Sequence, residues 1–97
     1  MYLGLMQLQF DEIKFLPGDL KFLSSVCLKL QKRFKVHAKV HRGTEAKITI
    51  IQLNRRKEDL ASCFDKISHF CEQEGIGRVE VERILIDDVE AILRETY

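Results

Sequence analysis

Lys35, His37, Lys39 and His41 alternate with Phe34, Val36, Ala38 and Val40 along one short stretch of this 97-residue chain. Strict alternation puts apolar side chains on one face of an extended segment and cations on the other; helical spacing would mix them. Lysines interleaved with imidazoles are chemistry for an anion. His37 and His41 stand about 13 Å apart at strand rise, too far to chelate one metal ion, and no carboxylate or cysteine pattern joins them. Imidazoles titrate near pH 6–7, so anion binding there would strengthen as they protonate.

Nothing else carries a reaction. There is no Gly-rich phosphate loop, no HExxH and no nucleophile elbow, so we expect no catalytic residues, no metal site, no cofactor and no enzyme. Cys27, Cys63 and Cys71 are odd in number and lack CxxC spacing. Each falls at or beside an apolar position of a helical segment, which reads as reduced thiols in a reducing cytoplasm. Asp87-Asp88 suits the start of a helix better than an acid/base pair. His69 sits on a helix flank.

The net charge of +1 hides a strong ordering. Residues 1–57 hold twelve Lys/Arg against four Asp/Glu, and residues 58–97 hold four against eleven. Such asymmetry points to an anionic partner or to a second copy of the same chain. The candidate nucleic-acid contacts are Arg33, Lys35, His37, Lys39, His41, Arg42, Lys47, Arg55 and Arg56, with Lys57 continuing the last run. The strand that includes Lys47 reads Ala46-Lys47-Ile48-Thr49-Ile50-Ile51 and has no ring on which a base stacks. Backbone or shape recognition is what survives.

The elements that position these residues follow from periodicity. Tyr2 to Phe10 alternates as a strand. Pro17-Gly18-Asp19 closes a loop, and Asp19 is placed to cap a helix whose Leu20, Leu23, Cys27, Leu30 and Phe34 recur at three- and four-residue steps, ending near Arg33. A strand over Phe34–Arg42 follows, then a hairpin at Gly43-Thr44-Glu45 and a strand over Ala46–Leu53. Asn54 is placed to cap a second helix with Leu60, Cys63, Phe64, Ile67, Phe70 and Cys71 on its stripe, ended by Gly75. The last strand covers Arg78 to Ile86. Its alternation slips between Val79/Val81 and Ile84/Ile86, which a bulge near Arg83 explains. Residues 87–97 form a short terminal helix.

The expected architecture is therefore α+β: a single ferredoxin-like βαββαβ domain with core 1–86, strand order 4-1-3-2 and both helices on one face. The open face then carries a basic edge, an apolar centre of Leu3, Leu5, Ile51 and Leu53, and an acidic edge of Glu80 and Glu82. Two covers suit that centre. One is the terminal helix, through Val89, Ile92 and Leu93; the other is a second chain in a homodimer. No apolar run is long enough for a membrane span, and no secretory signal is visible, so a cytoplasmic setting is expected.

Two resemblances add to this reading. At Met1-Tyr2-Leu3-Gly4-Leu5 and Arg33-Phe34-Lys35-Val36 the chain resembles the YlxP-like family of small bacterial proteins of unknown function. That likeness extends loosely over residues 1–86 and implies a ferredoxin-like fold and, from the family's setting among translation genes, ribosomal RNA. The chain departs from the family's Leu-Lys-Glu-Lys-Arg run after Leu20-Lys21, and lacks its Trp-Gln-type hairpin sequence. Leu16-Pro17-Gly18-Asp19-Leu20 is similar to the turn of ACT regulatory domains, which implies a small effector such as an amino acid at a dimer interface. Together these set the functional expectation: a small non-enzymatic module contacting RNA through its basic strand, with a homodimeric or ACT-like role as the alternative.

Overall fold

The strand β1 (Tyr2–Phe10) organises the molecule, because its even positions are apolar and its odd positions only partly so. Met6, Leu8 and Phe10 are buried beneath helices, while Leu3, Leu5, Gln7 and Gln9 turn to the other side. The computed structural model describes residues 1–10, 19–41, 46–73 and 79–96. Around β1 stand α1 (Asp19–Phe34), β2 (His37–His41), β3 (Lys47–Asn54), α2 (Lys57–Gln73), β4 (Val79–Asp88) and α3 (Val89–Thr96). The strands form one antiparallel sheet in the order β2-β3-β1-β4. This is a small α+β fold.

Both long helices cover the same face. Leu23, Val26, Cys27 and Leu30 of α1 join Phe64, Ile67, Phe70 and Cys71 of α2 over Met6, Leu8, Phe10, Ile48 and Ile50. Each fully buried side chain of this size contributes roughly 1.5–3 kcal/mol relative to exposure. No charged or polar residue among the described ones is fully buried.

Gly4 lies in this layer for want of a side chain. A Cβ there would meet the Phe64 ring at 2.7 Å and the Leu60 side chain at 3.1 Å. Hydrogen is the only substituent that lets α2 approach β1 so closely.

The slip in β4 is a bulge. Gln7 pairs with Arg83 and Leu8 with Val81, so Glu82 is passed over. The extra residue restores parity: Val79 and Val81 take the register positions opposite Phe10 and Leu8, and Ile84 and Ile86 those opposite Met6 and Gly4.

Several boundaries differ from the sequence reading. The last of them is at β4, which runs on to Asp88 instead of stopping at Ile86, so that α3 opens at Val89 and not at residue 87. Phe34 closes α1 rather than opening β2, and Lys35 takes a left-handed conformation with φ 53°. The Leu30–Phe34 spacing continues the helical stripe, and the Phe34 ring meets Phe70 edge-on at 5.7 Å, which keeps the last turn wound. Lys35 N–H then donates to Gln31 O at 3.1 Å, the single-bond left-handed helix stop. Asn54 does not cap α2 directly. Its Oδ1 accepts from Arg56 N–H at 3.2 Å, an Asx-turn just ahead of the helix. At the far end Asp88 does cap: its Oδ1 accepts from Glu90 N–H at 2.9 Å. The proposed turns at Pro17-Gly18, Gly43-Thr44-Glu45 and Gly75 lie outside the described residues.

Two substitutions test this layer. Lys35→Gly relieves a left-handed residue bearing a Cβ, and chemical denaturation should show a gain of about 0.5–1 kcal/mol. Gly4→Val should cost about 1–3 kcal/mol in the same measurement, through the displaced Phe64 ring.

Candidate functional site

The face turned away from the helices is built from four cross-strand rows, read from the register. Leu53, Leu3 and Asp87 form the first; His37, Ile51, Leu5 and Leu85 the second. Lys39, Thr49, Gln7 and Arg83 form the third; His41, Lys47, Gln9 and Glu80 the fourth. Gln7 Nε2 donates to Thr49 Oγ1 at 3.4 Å, a lateral tie on this surface. The apolar residues thus gather in two adjacent rows, with cations along β2.

The expected apolar centre is in place, and it is larger than expected. Leu3 and Leu5 are half-buried, whereas Ile51 and Leu53 are exposed, Leu53 by 58%. Leu85 joins them opposite Leu5, because the bulge turns it to this side. The slip in β4 was the signal for Leu85. The terminal helix does not cover the patch: Ile51, Leu53 and Leu85 stay exposed, and Leu93 of α3 is itself half exposed.

The basic residues divide between two places. His37, Lys39 and His41 are exposed on the open face of β2. Lys35 leaves that row, because it belongs to the helix stop and not to the strand. Arg42 lies outside the described residues. Lys35 follows the end of α1, at the end of the sheet where β3 leads into the turn that carries Arg55 and Arg56. Gln52 Nε2 ties the two together by donating to Phe34 O at 3.3 Å. Lys35, Arg55, Arg56 and Lys57 are exposed at this end of the sheet, whereas Arg33 is exposed farther along the helix layer, beside Phe70. Arg56 also lies 4.0 Å from Glu58, a solvated ion pair of little energetic weight that eases the cationic helix start. The Arg33 guanidinium rests 5.0 Å from the Phe70 ring and 5.9 Å from Phe34, which fixes its position over the helix layer.

The acidic edge is thinner than expected. Glu80 holds its place opposite Gln9, but Glu82 falls in the bulge and Arg83 takes the register position opposite Gln7. Asp87 and Asp88 spend their carboxylates on the turn into α3, as Asp88 N–H to Asp87 Oδ1 at 2.9 Å shows.

None of the three thiols is in a disulfide. Cys27 and Cys71 are buried and Cys63 is half-buried. Burial pushes the Cys27 thiol up to about 11, and burial also raises Cys63, against a smaller pull from Lys66 and Gln52. Among the described residues no group of His, Cys, Asp and Glu is placed to hold a metal ion. No helix among them is long and apolar enough to cross a membrane.

No protein-family model and no curated protein matches the sequence. Two solved structures are similar in fold. A structural-genomics protein, YJCS, is 20% identical over 91% of this chain and 97% of its own, with a TM-score of 0.57. A de novo designed protein, Foldit4, is 14% identical over 90% and 96%, with a TM-score of 0.56. These likenesses agree with a compact α+β fold and say nothing about activity.

The Cys27 environment sets a pH dependence. The folded thiol keeps its proton to about 11 while the unfolded one releases it near 9.0, so stability present below pH 9 is lost as pH climbs to 11. Denaturation midpoints of wild type and Cys27→Ala should therefore converge over that window.

Proposed function

We propose that this is a ferredoxin-like, non-enzymatic cytoplasmic module that contacts the phosphate backbone of single-stranded RNA. The neighbour order β2-β3-β1-β4 with both long helices on one face supports the fold name. The observation that carries the function is the junction of α1 and the β3–α2 turn. There Lys35, Arg55 and Arg56 are exposed at one end of the sheet, beyond the exposed His37, Lys39 and His41 of β2, with Arg33 set apart over the Phe70 ring. A track of cations along an edge strand and around its end suits a polyanion lying across the sheet, with affinity from counterion release.

Base reading is not part of this proposal. The four open-face rows offer no Phe, Tyr or Trp for stacking among the described residues, only the imidazoles of His37 and His41. Contact is with the backbone and is indifferent to sequence. The resemblance to the YlxP-like family points the same way, with ribosomal RNA as the class of polyanion. A homodimer over Leu3, Leu5, Ile51, Leu53 and Leu85 is the second reading, favoured by the exposed apolar rows. The ACT-like alternative rests on a turn that lies outside the described residues.

A mobility shift with oligouridine tests the RNA reading. Wild type should retard the RNA at low salt, with retention falling steeply as salt rises. Arg55→Glu with Arg56→Glu should weaken binding about ten-fold or more and shallow the salt slope by roughly two phosphate contacts. Free RNA at every protein concentration in low salt would end the proposal.

A further inference from the structure

The two margins of the sheet are unlike each other in every respect that matters for pairing. β2 carries His37, Lys39 and His41, whereas β4 carries Glu80, Glu82, Asp87 and Asp88 with Arg83 as its one cation. Among the described residues both are edge strands. β4 is ten residues long, and on its helix side Val81 and Ile84 are 42% and 53% exposed although their partners Leu8 and Met6 are fully buried. A long edge strand with uncovered apolar side chains is a template for another strand. β2 offers the reciprocal feature. Between it and α1 runs a groove of about 430 Å³ whose apolar lining is Cys27, Leu28, Ala38 and Val40, with Leu28 60% exposed.

We propose that β4 of one molecule adds to β2 of the next, so that copies of this chain assemble head to tail into a continuing antiparallel sheet. Strand direction permits it, since β2 and β4 run opposite ways within the sheet and simple translation brings them together antiparallel. Parity selects the register. With Val40 opposite Val81 and Ala38 opposite Ile84, the apolar residues of both strands stay on the helix side and Val81 enters the α1–β2 groove. His41 then falls opposite Glu80, and the bulge at Glu82-Arg83 spans Lys39. Gln31 Nε2 donates to Ala38 O at 3.3 Å, a long bond that leaves the second lone pair of this carbonyl for an incoming N–H. Self-pairing of β2 is opposed, since β2 on β2 sets cation against cation. A heterologous contact of this kind grows rather than closing as a dimer.

Sedimentation velocity without RNA tests the proposal. The wild-type average mass should rise with concentration at low salt and fall towards the monomer at high salt. Val81→Lys blocks the β4 margin and Leu28→Glu blocks the β2 groove, both at exposed positions where circular dichroism should stay unchanged. Each variant alone should be monomeric. Mixed in equal amounts they should form one-to-one pairs and nothing larger, because each keeps the margin that the other has lost. A wild type monomeric at all concentrations, a dimer that does not grow, or a variant that associates by itself overturns it. Arg55→Glu with Arg56→Glu leaves this assembly intact, so its outcome is independent of the RNA assay.

Discussion

One constraint governs the rest of the structure: the sheet buries apolar side chains on one face only, and β1 enforces this against both neighbours. Its even residues meet the helices, so any strand paired with it must present apolar residues at the matching positions. β3 complies without interruption through Ile48 and Ile50. β4 complies only because two of its residues face one step of β1 between Gln7 and Leu8. Without that insertion either the valines or the isoleucines of β4 would face away from the core.

The open surface is a by-product of the same constraint. Turning Ile84 and Ile86 inward turns Leu85 outward beside Leu5, which completes an apolar row across β3, β1 and β4. Charge is sorted strand by strand around that row, cations on β2 and acids chiefly on β4 and its exit. Because the first half of the chain is basic and the second acidic, this sorting follows from where the sheet places its outer strands. The helix layer contributes the remaining basic ground through the end of α1. There Gln52 and Gln31 fasten the turn into β2 from either side.

Much of this was legible in residue order. The alternation of 2–10 and 37–41, the slip near Arg83 and the acids opening α3 all express local geometry, and the structure bears them out. Phe34 and Lys35 were misplaced because their alternation with Val36 is as good as any strand's. A long-range contact, the Phe34 ring on Phe70, keeps the helix wound one residue further and sends Lys35 into a left-handed stop. The acidic edge was overdrawn for a related reason. A bulge is visible as a break in parity, but which residue it ejects depends on the register with β1. Exposure of Val81, Ile84 and Leu28 had no sequence signal, since it reflects how far the helices reach across the sheet.

The account therefore stands on the register of β1 with β4. Cross-strand nuclear Overhauser contacts on both sides of the slip measure it directly. Gln7 should face Arg83 and Leu8 should face Val81, with Glu82 unpaired. Contacts of Leu8 with Glu82 and of Gln9 with Val81 would contradict it, because an unbroken ladder would turn Val79 and Val81 onto the open face and remove the surface described above.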